Sequence, residues 1–154
     1  MASPGYHDLQ EGAEIAPRQY QVTRRDLVRY AGASGDFNVI HWNERIATSV
    51  GLPDVIAHGM LTMALAGRFL TEWAGDPGAV TEFGVRFSAP VVVPDDDKGA
   101  QVEVAGVVTG KLDGNRVTVD LTARSGDAKV LTRAHAVVRL PAVPAQGDDP
   151  LEPP

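Results

Sequence analysis

The strongest apolar signal in the chain runs from Met60 to Trp73, where Met60, Leu61, Met63, Ala64, Leu65, Phe69 and Leu70 precede Trp73 and no charge comes before Arg68. A helix that is dry on nearly every side belongs inside a protein. At roughly 20 Å it is too short to cross a bilayer, so it is read as the core helix of a domain. Downstream the period changes to two. From Arg116 to Arg124, Val117, Val119, Leu121 and Ala123 alternate with Arg116, Thr118, Asp120, Thr122 and Arg124, which predicts a strand with one buried and one wet face. Neighbouring stretches predict further strands: Val80 to Val93, with Pro90 as an end or bulge, Gln101 to Val108, and Val130 to Leu140. Pro94 to Gly99, Asp113-Gly114 and Ser125 to Asp127 supply the loop and turns between them.

The amino-terminal half reads differently. Residues 1–16 are polar and expected to pack loosely, and Arg18 to Val22 predicts a first strand or extended arm. Thr23 then caps a helix, with Asp26 at its third position, Leu27, Tyr30 and Ala31 on one face, and Gly32 and Gly35 ending it. Asn43 is the expected cap of a second short helix, from Glu44 to about Val50, halted by Gly51 and Pro53. One domain, residues 17–140, follows from this order, with the Pro- and acid-rich residues 141–154 expected to be a disordered tail. A buried helix followed by consecutive antiparallel strands is an α+β layout in which a curved sheet wraps the helix.

Composition narrows the function classes. The 154 residues are enough for one core, with 44% hydrophobic and 22% charged residues, ordinary values for a water-soluble domain. A net charge of −6 and no cluster of Lys and Arg argue against a nucleic-acid partner. With no cysteine, disulfides, thiolate nucleophiles and Cys-held metals are excluded, and a reducing cytoplasm is compatible. The first residues lack a basic start and an apolar run, so no signal peptide is read and a cytoplasmic location is expected. No membrane partner is expected either.

The candidate chemistry sits on a bend. Asp36, Asn38 and His41 lie within six residues, after a glycine-broken helix and before a short one, where a loop can turn several polar groups towards one point. The segment Gly35-Asp36-Phe37-Asn38-Val39-Ile40-His41, followed by Ala47, is similar to the hydratase 2 signature of the MaoC-like (R)-specific enoyl hydratases and dehydratases. Val39 stands where most members carry proline, a departure that loosens a turn but touches no chemical group. With Ala57 to Met63 and Gly75 to Glu82 added, the chain resembles most the catalytic B-type subunit of the mycolic-acid (3R)-hydroxyacyl-carrier-protein dehydratases. The resemblance covers roughly Val22 to Leu140.

That resemblance implies a hot-dog fold, a dimer of two hot dogs (homodimer, or heterodimer with a non-catalytic hot-dog subunit), and an acyl-CoA or acyl-carrier-protein substrate. The implied reaction is reversible: (3R)-hydroxyacyl thioester to trans-2-enoyl thioester plus water. Asp36 and His41 can both hydrogen-bond one water, and an imidazole titrating near neutrality suits a proton moved both ways. Gly59 opens the core helix, where free N–H groups and the positive dipole end can meet a thioester oxygen; the alternative is a tight turn only. Asn38 contacts substrate or closes an Asx-turn, and His58 contacts substrate or braces its turn by a hydrogen bond. Met60, Met63, Leu65 and Gly67 on the helix, with Phe83, Val85 and Phe87 on the strand, are candidates for an apolar acyl slot or for plain core. Arg86 can meet a phosphopantetheine or CoA phosphate, or be a solvated charge.

The spacing of Asp36, His41 and His58 matches no metal-binding pattern, and no glycine-rich phosphate loop or dinucleotide motif is present, so neither metal nor cofactor is expected. Two other readings compete. A non-catalytic acyl-binding or partner hot-dog subunit has no use for two titratable groups facing one water. A hot-dog thioesterase needs a carboxylate elsewhere on the fold and leaves the Asp36 to His41 spacing unexplained.

Overall fold

The structure, a computed structural model, describes residues 3–143. In chain order the elements are β1 (Glu14–Val22), α1 (Arg24–Ser34), α2 (Glu44–Ser49), α3 (Gly59–Ala74), β2 (Val80–Phe87), β3 (Ala100–Leu112), β4 (Arg116–Ser125) and β5 (Ala128–Arg139), with 3-10 turns at Tyr6–Asp8 and Val39–His41. The strands form one antiparallel sheet in the order β1-β3-β4-β5-β2. This is the single hot-dog layout expected from the sequence, with α3 as the filling. Among the described residues no helix is long and apolar enough to cross a membrane.

The core lies where the two periodicities meet. Ala66, Phe69 and Leu70 of α3 are buried, and so are Val102, Val104 and Val108 of β3 and Val117, Val119, Leu121 and Ala123 of β4. Those four β4 residues are the face that alternation had marked as dry. At Gly106 of β3 an added Cβ would stand 3.2 Å from the Phe69 ring and 3.1 Å from Leu121 and Ile15. Glycine there lets the helix aromatic settle onto the sheet.

Several boundaries differ from the sequence reading, each for a physical reason. β1 starts at Glu14 rather than Arg18, with a register shift between Ile15 and Arg18, and Ile15 is buried while Tyr6, Leu9 and Ala13 pack on the core. Residues 6–13, expected to be loose, therefore cover one end of the sheet. The N–H groups of Tyr6 and His7 donate to the carbonyls of Pro141 and Ala142; residues 144–154 of the expected tail lie outside the described residues. Gly32 sits inside α1, and only Gly35, at φ 75°, ends it, its N–H donating to Ala31. That left-handed residue is an ordinary glycine stop.

The expected strand Val80 to Val93 is two pieces. β2 ends at Phe87, and beyond Pro90 the chain pairs with a different partner: Ala57 N–H donates to the Val91 carbonyl and Val93 N–H to Val55. Proline has no N–H to offer the sheet, so the chain leaves it there. That second pairing matters for the site, because it pins the segment leading into α3. Arg24 holds the same region from the other side, with Nη2 on Glu44 at 3.0 Å and on Asp54 at 2.6 Å, and Nε donating to the Val93 carbonyl at 3.1 Å.

Leu70 fills the helix-to-sheet seam with no exposure, so Leu70→Ala is expected to cost about 2–5 kcal/mol. Urea unfolding reads this as a lower midpoint at an unchanged slope. Val28→Ala, at an α1 position that is 62% exposed, should stay within about 0.5 kcal/mol.

Candidate active site

The bend after α1 is built by its own polar side chains. Asp36 Oδ1 accepts from Asn38 N–H at 3.2 Å, and Asn38 Oδ1 accepts from Ile40 N–H at 3.3 Å. These two Asx-type links wind the chain into the Val39–His41 turn, and the turn drops His41 inwards, leaving it 7% exposed while Asp36 stays open to solvent. Asn38 therefore acts in the structure as the cap of that turn. Trp42 Nε1 donates back to the Phe37 carbonyl at 3.1 Å and closes the bend.

His41 Nδ1 lies 2.6 Å from the Ile56 carbonyl. A carbonyl only accepts, so Nδ1 carries the proton and Nε2 keeps the free lone pair. Burial pushes the His41 pKa below the ordinary imidazole value, opposed by the Ile56 carbonyl and the Asp36 charge and reinforced by His58. The result is a ring that is neutral near neutrality, with one basic nitrogen of defined identity.

His58, immediately before α3, is 1% exposed. Its Nε2 lies 3.0 Å from the Asp36 backbone carbonyl, and its ring stacks on His41 with centroids 3.7 Å apart and planes 25° apart. This is the bracing role the sequence offered as one of two options. Gly59 follows as the first residue of α3. Its N–H belongs to the first turn, which has no preceding carbonyl to bond. A Cβ there would stand 3.2 Å from the Phe87 ring, so glycine allows the β2 aromatic to close over the helix start.

His41 and Gly59 share a cleft of about 320 Å³ with Ile56, Ala57, Thr62, Phe87 and the Ser88 to Val91 segment. Asp36 is not among the residues lining it but lies close to His41: one ligand-type atom from each of Asp36, His41 and His58 lies within 4.8 Å of the others. Three such groups are close enough to share an ion. Each ring already spends one nitrogen on a backbone carbonyl, so His41 and His58 each keep a single nitrogen free of such a bond.

The remaining sequence candidates lie elsewhere. Gly67 of α3 faces β2, where Phe83 would meet its Cβ at 3.6 Å, while Met60 is 55% exposed and Met63 half-buried. Arg86 is exposed on β2, its carbonyl accepting from Thr132. None of these five residues lines the cleft. Sequence reasoning passed over Ile56, Thr62 and the Ser88 to Val91 segment. The Ile56 contribution is a backbone carbonyl, to which side-chain identity gives no clue, whereas Pro90 did mark the place where the chain turns into the cleft.

The sheet wrapped on one buried helix, with its polar groups gathered at the helix start, defines a hot-dog protein of the hydratase type. A solved structure described as a MaoC-like dehydratase superposes with a TM-score of 0.85 and 43% identity over 90% of this chain, which spans 42% of the length of that one. The R-hydratase PhaJ1 of Pseudomonas aeruginosa, in unliganded form, superposes with a TM-score of 0.82 and 26% identity over 99% of this chain and 96% of its own. The (R)-specific enoyl-CoA hydratase of Rhodospirillum rubrum is 30% identical over 138 residues, covering 89% of this chain and 92% of its own. The sequence profile of the MaoC like domain matches residues 9–126. The chain belongs to the MaoC-like family.

An NMR titration of the His41 ring tests the electrostatics. The midpoint is expected below 6.5, and Asp36→Asn should lower it further, because the Asp36 charge is one of the influences that raise it. A midpoint at or above 6.5 in the wild-type chain contradicts the account.

Proposed function

We infer that the chain is a hydro-lyase that adds water to, and removes it from, acyl-CoA thioesters, interconverting trans-2-enoyl and (3R)-3-hydroxyacyl forms. One observation carries the residue assignment: the unprotonated Nε2 of a buried, neutral His41 shares a cleft with the first N–H of α3, with the Asp36 carboxylate close to that ring. In hydration, His41 Nε2 and Asp36 hold one water. An O–H bond breaks as the proton passes to the pair, the oxygen bonds to C3, and the carbon–carbon π electrons move towards the thioester oxygen. Gly59 N–H meets the developing enolate, a contribution of about 3 kcal/mol for one well-aimed donor. The proton held by the pair then goes to C2, which leaves enzyme and proton count as they began.

The acyl chain and the partner are assigned together. β2 is an edge strand whose Phe83 and Val85 are half-buried against the core while Glu82, Gly84 and Arg86 are exposed, and Gly67 meets Phe83 in the seam between it and α3, with Met60 and Met63 earlier on the same helix. A second hot-dog subunit laid along this edge would bury that seam and turn it into an apolar slot, which supports the dimer and gives those four residues a role beside the acyl chain. A carrier-protein thioester as substrate, and the cytoplasmic location read from the sequence, belong to the same proposal.

With a short trans-2-enoyl-CoA, the wild-type protein is expected to bleach the conjugated thioester absorbance. Asp36→Asn and His41→Ala should each lower kcat by about 10²- to 10⁴-fold with the thermal midpoint little changed. The acid limb of kcat/KM should fall with a midpoint below 6.5, since the base must be neutral and burial keeps it so to lower pH. Variants as active as the wild type remove the assignment. For the partner, sedimentation should show a two-subunit particle, and Met60→Glu should weaken it. A fully active monomer contradicts the seam.

A further inference from the structure

Building on the assignment of His41 as the base, we propose that His58 is a positioning residue: it couples the Asp36 loop, the His41 ring and the Gly59 N–H.

The geometry gives His58 three attachments. Its carbonyl accepts from Leu61 N–H at 3.0 Å and Thr62 N–H at 3.2 Å, which fixes its backbone to the first turn of α3. Its Nε2–H donates to the Asp36 carbonyl at 3.0 Å, which fixes its side chain to the loop bearing the carboxylate. Its ring faces are covered by His41 at 3.7 Å and by Tyr30 of α1 at 4.8 Å. A displacement of α3 along its axis would therefore carry base, carboxylate loop and oxyanion donor together. Misplacing one of them by about 1 Å is worth as much as two orders of magnitude in turnover.

The same contacts fix the ring's orientation. Because the Asp36 carbonyl can only accept, Nε2–H makes that bond, and Nδ1 is buried with no hydrogen-bond partner among the described residues. The side chains around the ring are Asp36 from the loop, His41 from the turn and Tyr30 from α1, with Thr62 beside it on α3.

Two substitutions separate the hydrogen bond from the bulk of the ring. Glutamine carries an N–H that reaches about as far as Nε2, whereas phenylalanine keeps the stack and loses the donor. His58→Phe should lower kcat by about tenfold or more with KM within about twofold, and His58→Gln should recover most of that loss. A His58→Phe enzyme as fast as the wild type, a defect confined to KM, or a glutamine variant no better than the phenylalanine one in folded protein would each overturn the proposal. These outcomes stand apart from the base assignment, which fails by its own sign: an active His41→Ala.

Discussion

Everything at the site depends on the burial of α3 against the sheet. Ala66, Phe69 and Leu70 disappear into the seam between α3 and the sheet, and a helix anchored along its length has no freedom left at its first turn. Its N–H groups therefore point to a fixed place. Around that place the chain assembles its polar groups by backbone contacts rather than by charge: the Ile56 carbonyl accepts from His41 Nδ1–H, and the Asp36 carbonyl accepts from His58 Nε2–H. Each contact decides a tautomer, and the tautomer of His41 decides which nitrogen is basic.

Burial works in two directions here. It stabilises the fold through apolar area removed from water, and it drives His41 towards neutrality. The cost is borne by groups that lose solvent, and His58 Nδ1 is the clearest case, a buried polar atom without a partner. Asp36 is treated differently. It remains exposed, and its carboxylate is oriented by a local turn rather than sealed in. An exposed carboxylate and a buried imidazole close to it give one water two dissimilar neighbours, which is what a proton moved in both directions requires.

Much of this was legible in the sequence. Alternation in Arg116 to Arg124 and the all-round apolar run into Trp73 located the core, because the two signals are long and their periods differ. Asp36, His41 and Gly59 stood out through a resemblance that rests on side chains. What escaped was of two kinds. The Ile56 carbonyl and the pairing of Val91 to Val93 with Val55 to Ala57 are backbone contacts between segments far apart in sequence, and no residue type announces them. The uniform dryness of α3 also hid which side meets the sheet, which lines the cleft and which faces β2. For that reason Met60, Met63 and Gly67, offered from the sequence as acyl-slot candidates, are not among the residues that line the cleft.

The most direct test is a crystal structure of the protein with a bound (3R)-3-hydroxyacyl thioester. The account predicts the C3 hydroxyl within hydrogen-bond reach of both His41 Nε2 and an Asp36 carboxylate oxygen, with the thioester oxygen on Gly59 N–H. A hydroxyl that meets neither side chain, or a thioester turned away from the start of α3, would contradict it.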